Sequence, residues 1–382
     1  MPQARLIYAD SERSADMYYA TGLFAPDPFL FLQDSTGTTH VVVSSLEIDR
    51  ARRVARVDQV HDWASVQKLH KAQSKKKQKK PALLSSLMVT FLREHGVKSL
   101  LVPAEFPLAL ADKLRREGVS LAAAEGLFWP ERAIKRSDEV AAIEEALRIT
   151  GLGMDAGIGV IRASEIGADS LLYLEGTLLT SERVRSEINA TLTRLGAMPS
   201  HTIVSGGDQG ADPHEEGHGP LPGNRPIIID IFPRVEKSGY FGDMTRTVCR
   251  GQAPERVKRA WDLVFRGQEL AFERIRDGVS GKEIHDAITE LFTKNGFPTE
   301  RQADGRQGGF FHGTGHGLGL EIHESPRISG RDQILKSGHV VTVEPGLYYP
   351  DMGGVRLEDV VVVEPDGCRN LTDVPKFLEL PM

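Results

Sequence analysis

Residues 227–251 read IIIDIFPRVEKSGYFGDMTRTVCRG. Two apolar, β-branched stretches flank a turn marked by Pro233 and Gly239. Each stretch carries one aspartate, Asp230 in the first and Asp243 at the head of the second. A strand apolar on both faces is a strand buried on both faces. An ionised carboxylate inside it is costly unless it is paired or bound to metal. The pattern returns toward the C-terminus, where Glu344 follows VVTV and Glu358 sits inside GGVRLEDVVVV. The basic residues close by in sequence, Arg246 and Arg356, leave an excess of negative charge that divalent cations would neutralise.

Between the two acidic pairs lies FFHGTGHGLGLEIHESP, residues 310–326, with histidines at 312, 316 and 323 among glycines. Four carboxylates and one imidazole exceed the three protein ligands of an ordinary catalytic zinc. They suit two cations roughly 3.5–4 Å apart, with bridging carboxylates, able to polarise a carbonyl. Oxygen-rich ligation favours manganese, iron or cobalt and leaves zinc open. The glycines are expected to let backbone approach the metals and to adopt positive φ without a Cβ penalty.

Working outward, 382 residues are enough for two ordinary domains. A net charge of −6 without a basic tail argues against nucleic acid as a partner. Cys249 and Cys368 have no metal-ligand spacing around them. The first residues lack the apolar core of a signal peptide. No apolar run approaches the roughly 20 residues that span a bilayer. The expected location is therefore the cytoplasm, with no membrane partner.

Residues 1–134 alternate strands (FLFLQD, THVVVSS, KSLLVPA) and helices (PALLSSLMVTFLREHG, FPLALADKLRREG), an α/β domain. The lysines at 75–77, 79 and 80 read as a solvated loop. Residues 135–382 read as α+β. Ser137 is the expected N-cap of a helix through Val140, Ile143 and Leu147. A second helix carries Val184, Ile188 and Leu192, and two more cover about 255–277 and 281–295. The Gly/Pro-rich segment GGDQGADPHEEGHGPLPGNRP reads as a functional loop.

The order Asp230, Asp243, HGTGH with His316, VEPG with Glu344 and GVRLED with Glu358 resembles the pita-bread metallopeptidases: Xaa-Pro aminopeptidase, prolidase and methionine aminopeptidase. The resemblance implies an α+β pita-bread catalytic domain over 135–382. YYATGLFAPDPFLFL and SSLEIDRA resemble the smaller creatinase-like N-terminal α/β domain of the proline-specific members, which methionine aminopeptidases generally lack. By resemblance, Asp230, Asp243, His316, Glu344 and Glu358 hold two divalent ions, with Asp243 and Glu358 bridging. Glu344 also shuttles a proton. His323 and His214 contact the substrate, His218 being an alternative to His214. Arg356 serves catalysis or substrate binding, and His312 lines the pocket. Glu324 supports the site, and His285 and His339 are structural. The segment between Asp230 and Asp243 is two residues longer than the family's usual one, an insertion expected to loop out of the hairpin.

The implied activity is hydrolysis of the bond between an N-terminal residue and proline, as an Xaa-Pro dipeptidase or aminopeptidase, and the implied assembly is a homodimer. The alternatives are another metal-dependent hydrolase or lyase on this fold, and a non-catalytic binding module, which would lack metal ligands.

Overall fold

The computed structural model describes residues 3–73, 82–301 and 305–381, and divides into two compact units, Met1–Arg132 and Ala133–Met382. The lysine run at 75–80 lies outside the described residues. No helix among them is long and apolar enough to cross a membrane.

In the first unit the strands are β1 (Arg5–Ala9), β2 (Phe29–Gln33), β3 (Thr39–Val43), β4 (Gln59–Asp62), β5 (Ser99–Val102) and β6 (Ser120–Ala123). They form one mixed sheet in the order β4-β3-β2-β1-β5-β6. Successive side chains on a strand point to opposite faces, and both faces are filled. The helices of this unit are α1 (Ala15–Thr21), α2 (Ile48–Val54), α3 (Trp63–Gln73), α4 (Leu84–Glu94) and α5 (Leu108–Arg116), and Leu30, Leu32 and Val42 pack with Met88 and Leu92 of α4. Phe29, Phe31, Val41 and Val43 pack on the other side with Met17 and Trp129.

The second unit repeats one device twice. Helices α6 (Ser137–Ala163) and α7 (Ser181–Arg194) cover a sheet containing the strands Ile203–Gly206, Ile227–Ile231 and Met244–Arg250. Helices α8 (Glu255–Arg274) and α9 (Gly281–Lys294) share a core with a second sheet. Its strands run Glu324–Ile328, Gly315–Gly317, Val340–Val343, Asp359–Val363 and Cys368–Asn370, in that spatial order. The rough echo in the sequence is therefore an echo of architecture: a helix pair, a sheet, and two carboxylates on or at the ends of the sheet's inner strands.

The start of α6 differs from the expectation. Ser137 is the first helical residue and Arg136 is the cap, whose N–H donates to Glu139 Oε2 at 2.9 Å. Glu139 serves better than a serine hydroxyl there because its other oxygen also accepts from Tyr240 O–H, at 2.6 Å. The longer segment after Asp230 does not loop out as expected but extends the hairpin: Arg234 faces Phe241 and Val235 N–H donates to Tyr240 O at 2.9 Å. Ile231 faces Met244 in the same register, and the lengthened arm Arg234–Val235 pairs on its other edge with Ala197–Met198.

Candidate metal centre

The strand Ile227–Ile231 is central in its sheet, so Asp230, opposite Thr245, has backbone on both sides and little water. Asp243 immediately precedes the neighbouring strand. In the second sheet Glu344 follows Val340–Val343, and Glu358 precedes Asp359–Val363. Two backbone contacts fix these strand ends: Glu358 N–H donates to Thr245 O (3.0 Å) and Glu344 N–H to Thr314 O (2.7 Å). His316 lies on the short strand Gly315–Gly317. Its neighbours are close enough that a Cβ on Gly315 would fall 1.9 Å from Thr342 O. Close approach, not positive φ, is what these glycines supply, since none from 313 to 319 has a left-handed φ. The expectation of strained φ in this loop is corrected accordingly.

The charge balance is lopsided. Asp230, Asp243, His316, Arg356 and Glu358 are all under 10% exposed. Arg356 donates to Asp230 Oδ2 at 2.6 Å. Arg246, expected to help, is spent elsewhere, on Asp359 Oδ1 (2.9 Å) and the Glu358 carbonyl (2.7 Å). Asp243 has no cationic side chain bonded to it among the described residues. Burial and the Glu358, Asp230 and Glu344 charges push its carboxyl well above the usual range. Burial, then Glu344 and Asp230, do the same to Glu358. Burial lifts Glu344 to about 7, with Arg356 opposing.

His316 points to what is missing. Its Nδ1 lies 3.1 Å from Gly317 O, which can only accept, so Nδ1 carries the hydrogen and Nε2 the lone pair. That lone pair faces Asp243 Oδ2 at 3.6 Å and Glu344 Oε1 at 3.4 Å, both acceptors. Burial depresses the ring to about 3, so it is neutral. Donor atoms of Asp243, His316 and Glu358 all lie within 4.8 Å of one another, and Asp230 Oδ1 is buried without a partner. Once the carboxyls are ionised, the His316 lone pair and the carboxylate oxygens facing it are all acceptors, a set that fits divalent cations.

These groups line a cavity of about 810 Å³ that also exposes His214, His312, His323, Arg327, Arg356 and Phe311. The polar groups on its wall divide into committed and uncommitted ones. Arg356 is committed throughout: Nε donates to Thr245 Oγ1 (3.1 Å), Nη1 to Tyr348 Oη (2.8 Å) and Nη2 to Asp230. With Nη1 also donating to Pro213 O (3.4 Å), four of its five N–H groups are engaged, which favours a positioning role over the substrate-binding role expected of it. His312 is committed too. Its Nδ1 donates to Gly313 O (2.8 Å) and its Nε2 accepts from Tyr348 O–H (3.0 Å). It supports the wall and does not reach for substrate. His323 stands edge-on to His316 at 4.5 Å between ring centroids. The rings of His323 and His214 and the guanidinium of Arg327 have no hydrogen-bond partner among the described residues. His218 does not line the cavity; its backbone binds the Gln209 side chain.

Outside the cavity, Glu324 accepts from Lys135 Nζ at 2.6 Å in a buried pair. His285 meets Thr314 Oγ1 and His339 accepts from Lys336 N–H, both as structural contacts. Sequence reasoning missed Tyr348, Thr245 and Arg327. Thr245 was within reach, since two residues after Asp243 on a strand it shares that residue's face. Tyr348, four residues after Glu344 in EPGLYYP, gave only an aromatic pair with no stated partner.

Comparison with known proteins follows the same lines. The model of metallopeptidase family M24 matches residues 141–365. An uncharacterized peptidase of Bacillus subtilis is 36% identical over 65% of this chain and 64% of that protein. An Xaa-Pro dipeptidase of Pyrococcus horikoshii is 28% identical over 74% of this chain and 75% of that protein. The chain thus spans just under two thirds of the first relative and three quarters of the second. The crystal structure of the prolidase from Pyrococcus horikoshii superposes with a TM-score of 0.77 at 25% identity, covering 98% of this chain and 95% of that one. A match across nearly all of the second unit, whose interior carries the carboxylate cavity, assigns this chain to metallopeptidase family M24, hydrolases of pita-bread fold that work with divalent metal ions.

Proposed function

We propose that the chain hydrolyses the bond between an N-terminal residue and proline, and does so on dipeptides: an Xaa-Pro dipeptidase. The observation that carries this reading is the lone pair of His316 turned on the Asp243 and Glu344 carboxylates inside a peptide-sized cavity. The dipeptidase and prolidase names of the relatives support the substrate class.

Asp230, Asp243, His316, Glu344 and Glu358 would hold two divalent ions, Mn2+ first and Co2+, Fe2+ or Zn2+ after it. When bound, such ions polarise the scissile carbonyl and make water nucleophilic near neutral pH. The chain's own groups do the rest. Arg356 and Thr245 hold Asp230 and Glu358 in place, since Thr245 Oγ1 donates to Glu358 Oε2 at 2.8 Å. Glu344, at the edge of the carboxylate set, is suited to carry a proton to the proline nitrogen, a poor leaving group until protonated. His323 is suited to donate to the developing oxyanion. Proline offers no N–H, so its ring is held by shape, with Phe311 and Ile322 among the apolar wall residues.

The dipeptide preference rests on Arg327. Arg327 lines the cavity, its guanidinium has no hydrogen-bond partner among the described residues, and it is matched to a substrate carboxylate. With Mn2+ present, Ala-Pro is expected to be cleaved well and Ala-Pro-Ala poorly. Arg327→Ala is expected to raise KM for Ala-Pro at least about tenfold, the loss of one charge-assisted bond. Equal turnover of both peptides by the unmodified enzyme would replace the dipeptidase reading with the aminopeptidase one. The proposed domain division is a creatinase-like unit over 1–134 and the catalytic unit over 135–382. The proposed state is a cytoplasmic homodimer, supported by the resemblance of the N-terminal unit to creatinase-type domains and checked by sedimentation.

A further inference from the structure

The first unit holds a second cluster of metal-ligating side chains, unrelated to the carboxylate cavity, none of whose lining residues comes from that unit. His40 on β3 and His61 on β4 share a sheet face, because β3 and β4 run parallel with His40 opposite Gln59 and Val42 opposite His61. His95 caps the C-terminus of α4, which packs on that face. Donor atoms of the three rings lie within 4.8 Å of one another.

His40 stacks on His95 at 4.2 Å between ring centroids and on His61 at 5.6 Å, and three details go beyond such packing. First, His40 Nδ1 and His61 Nε2 are 3.4 Å apart, long for a hydrogen bond. The edge of a tetrahedron with metal–nitrogen bonds of about 2.0–2.1 Å is about 3.3–3.4 Å. Secondly, the other nitrogen of His40 faces Asp34 Oδ2 at 3.4 Å. A carboxylate behind an imidazole orients the ring and raises the basicity of the nitrogen in front. Asp34 is itself fixed through Oδ1 by the N–H groups of Thr36 and Thr38. Thirdly, His95 Nε2 is buried and has no hydrogen-bond partner among the described residues, although a buried polar atom ordinarily finds one. It sits at a helix C-terminus, where the peptide dipoles favour positive charge.

We propose that His40, His61 and His95 bind one Zn2+ ion, with solvent as the fourth ligand, and that this ion pins the end of α4 to β3 and β4. Bringing donors that lie within 4.8 Å of one another onto a common ion takes rotation of the stacked His40 and His95 rings as well as approach, because an imidazole lone pair lies in its ring plane. The all-nitrogen set is chemically distinct from the oxygen-rich cavity, and imidazole suits zinc where carboxylates suit manganese. His40 is 2% exposed, while His61 and His95 are less deeply buried and can be replaced with less disturbance to the core.

The test uses the full chain, stripped of metal, equilibrated with micromolar Zn2+ and freed of unbound ion. Bound zinc is then counted by plasma mass spectrometry in the natural protein, in His61→Ala and in His95→Gln. Each variant is expected to hold one zinc fewer per chain, with unchanged circular dichroism and unchanged Mn2+-dependent turnover of Ala-Pro. The natural protein alone is expected to unfold at a higher temperature with Zn2+ than the variants do. Equal zinc counts in the natural protein and in folded His95→Gln would overturn the proposal. Loss of turnover without loss of zinc would overturn it equally, by assigning the cluster to folding of the whole chain. The peptide specificity can fail without affecting either count.

Discussion

Tyr348 is fully buried, and burial raises its phenol to about 12, so it acts here as a neutral hydroxyl. It accepts from Arg356 and donates to His312, and so holds two cavity groups without touching a carboxylate ligand. Removing the hydroxyl strands Arg356 Nη1 and His312 Nε2 without a partner at that position. Leaving buried polar groups unsatisfied costs about 1–3 kcal/mol. Tyr348→Phe is therefore expected to lower the unfolding free energy by that amount and to reduce kcat several-fold, with KM little changed. Thermal melts and steady-state kinetics with Ala-Pro check this; a change confined to KM would place Tyr348 against the substrate instead.

At the level of elements, the decisive feature is how closely the strand carrying His316 lies against its neighbour. A methyl at residue 315 would collide with the Thr342 carbonyl, which belongs to rigid backbone. Forcing extra volume into a packed interior costs typically 1–3 kcal/mol and more when backbone must move. Gly315→Ala is expected at or above the upper end of that range, and to displace His316 enough to weaken metal binding as well. Gly330→Ala, with open space around it, is the control and is expected to change neither. An unfolding midpoint for Gly315→Ala equal to the control's would contradict the packing described. The strands and their carboxylates were legible in the sequence because alternation and apolar runs report burial directly. The α6 cap was not, because it depends on Tyr240, far along the chain, completing the bonds of Glu139. The commitments of Arg356 were not legible for the same reason: its partners Asp230, Thr245 and Tyr348 come from three separate strands or strand neighbourhoods.

At the scale of the whole molecule, the second unit joins two similar halves so that each contributes two carboxylates to one cavity. The four acidic residues could be picked out from sequence, since each stands out against apolar strand context, whereas His316 is singled out by the family resemblance. The uncommitted status of His214, His323 and Arg327 could not, because it depends on what the fold leaves unpaired. The electrostatics carry a pH dependence whose sign follows from the raised carboxyls. Without metal, Asp243 and Glu358 retain protons above their usual range and Glu344 titrates near 7. Metal must displace those protons, so affinity is expected to rise with pH through neutrality and to fall steeply below about 7. His316, neutral down to about 3, adds no competition. Calorimetry of Mn2+ binding in buffers of different ionisation enthalpy is expected to register release of at least about one proton per chain at pH 7; heats independent of buffer would contradict the shifts.

Manganese content and turnover, measured together on one preparation, bear most directly on the idea that cations reconcile these buried acids. After exhaustive chelation the protein is expected to be inactive on Ala-Pro, and activity is expected to return as Mn2+ is added, levelling near two ions per chain. In Asp243→Asn both the bound manganese and the activity are expected to drop at least about a hundredfold in midpoint or rate. Full turnover by the chelated, metal-free chain would contradict the account.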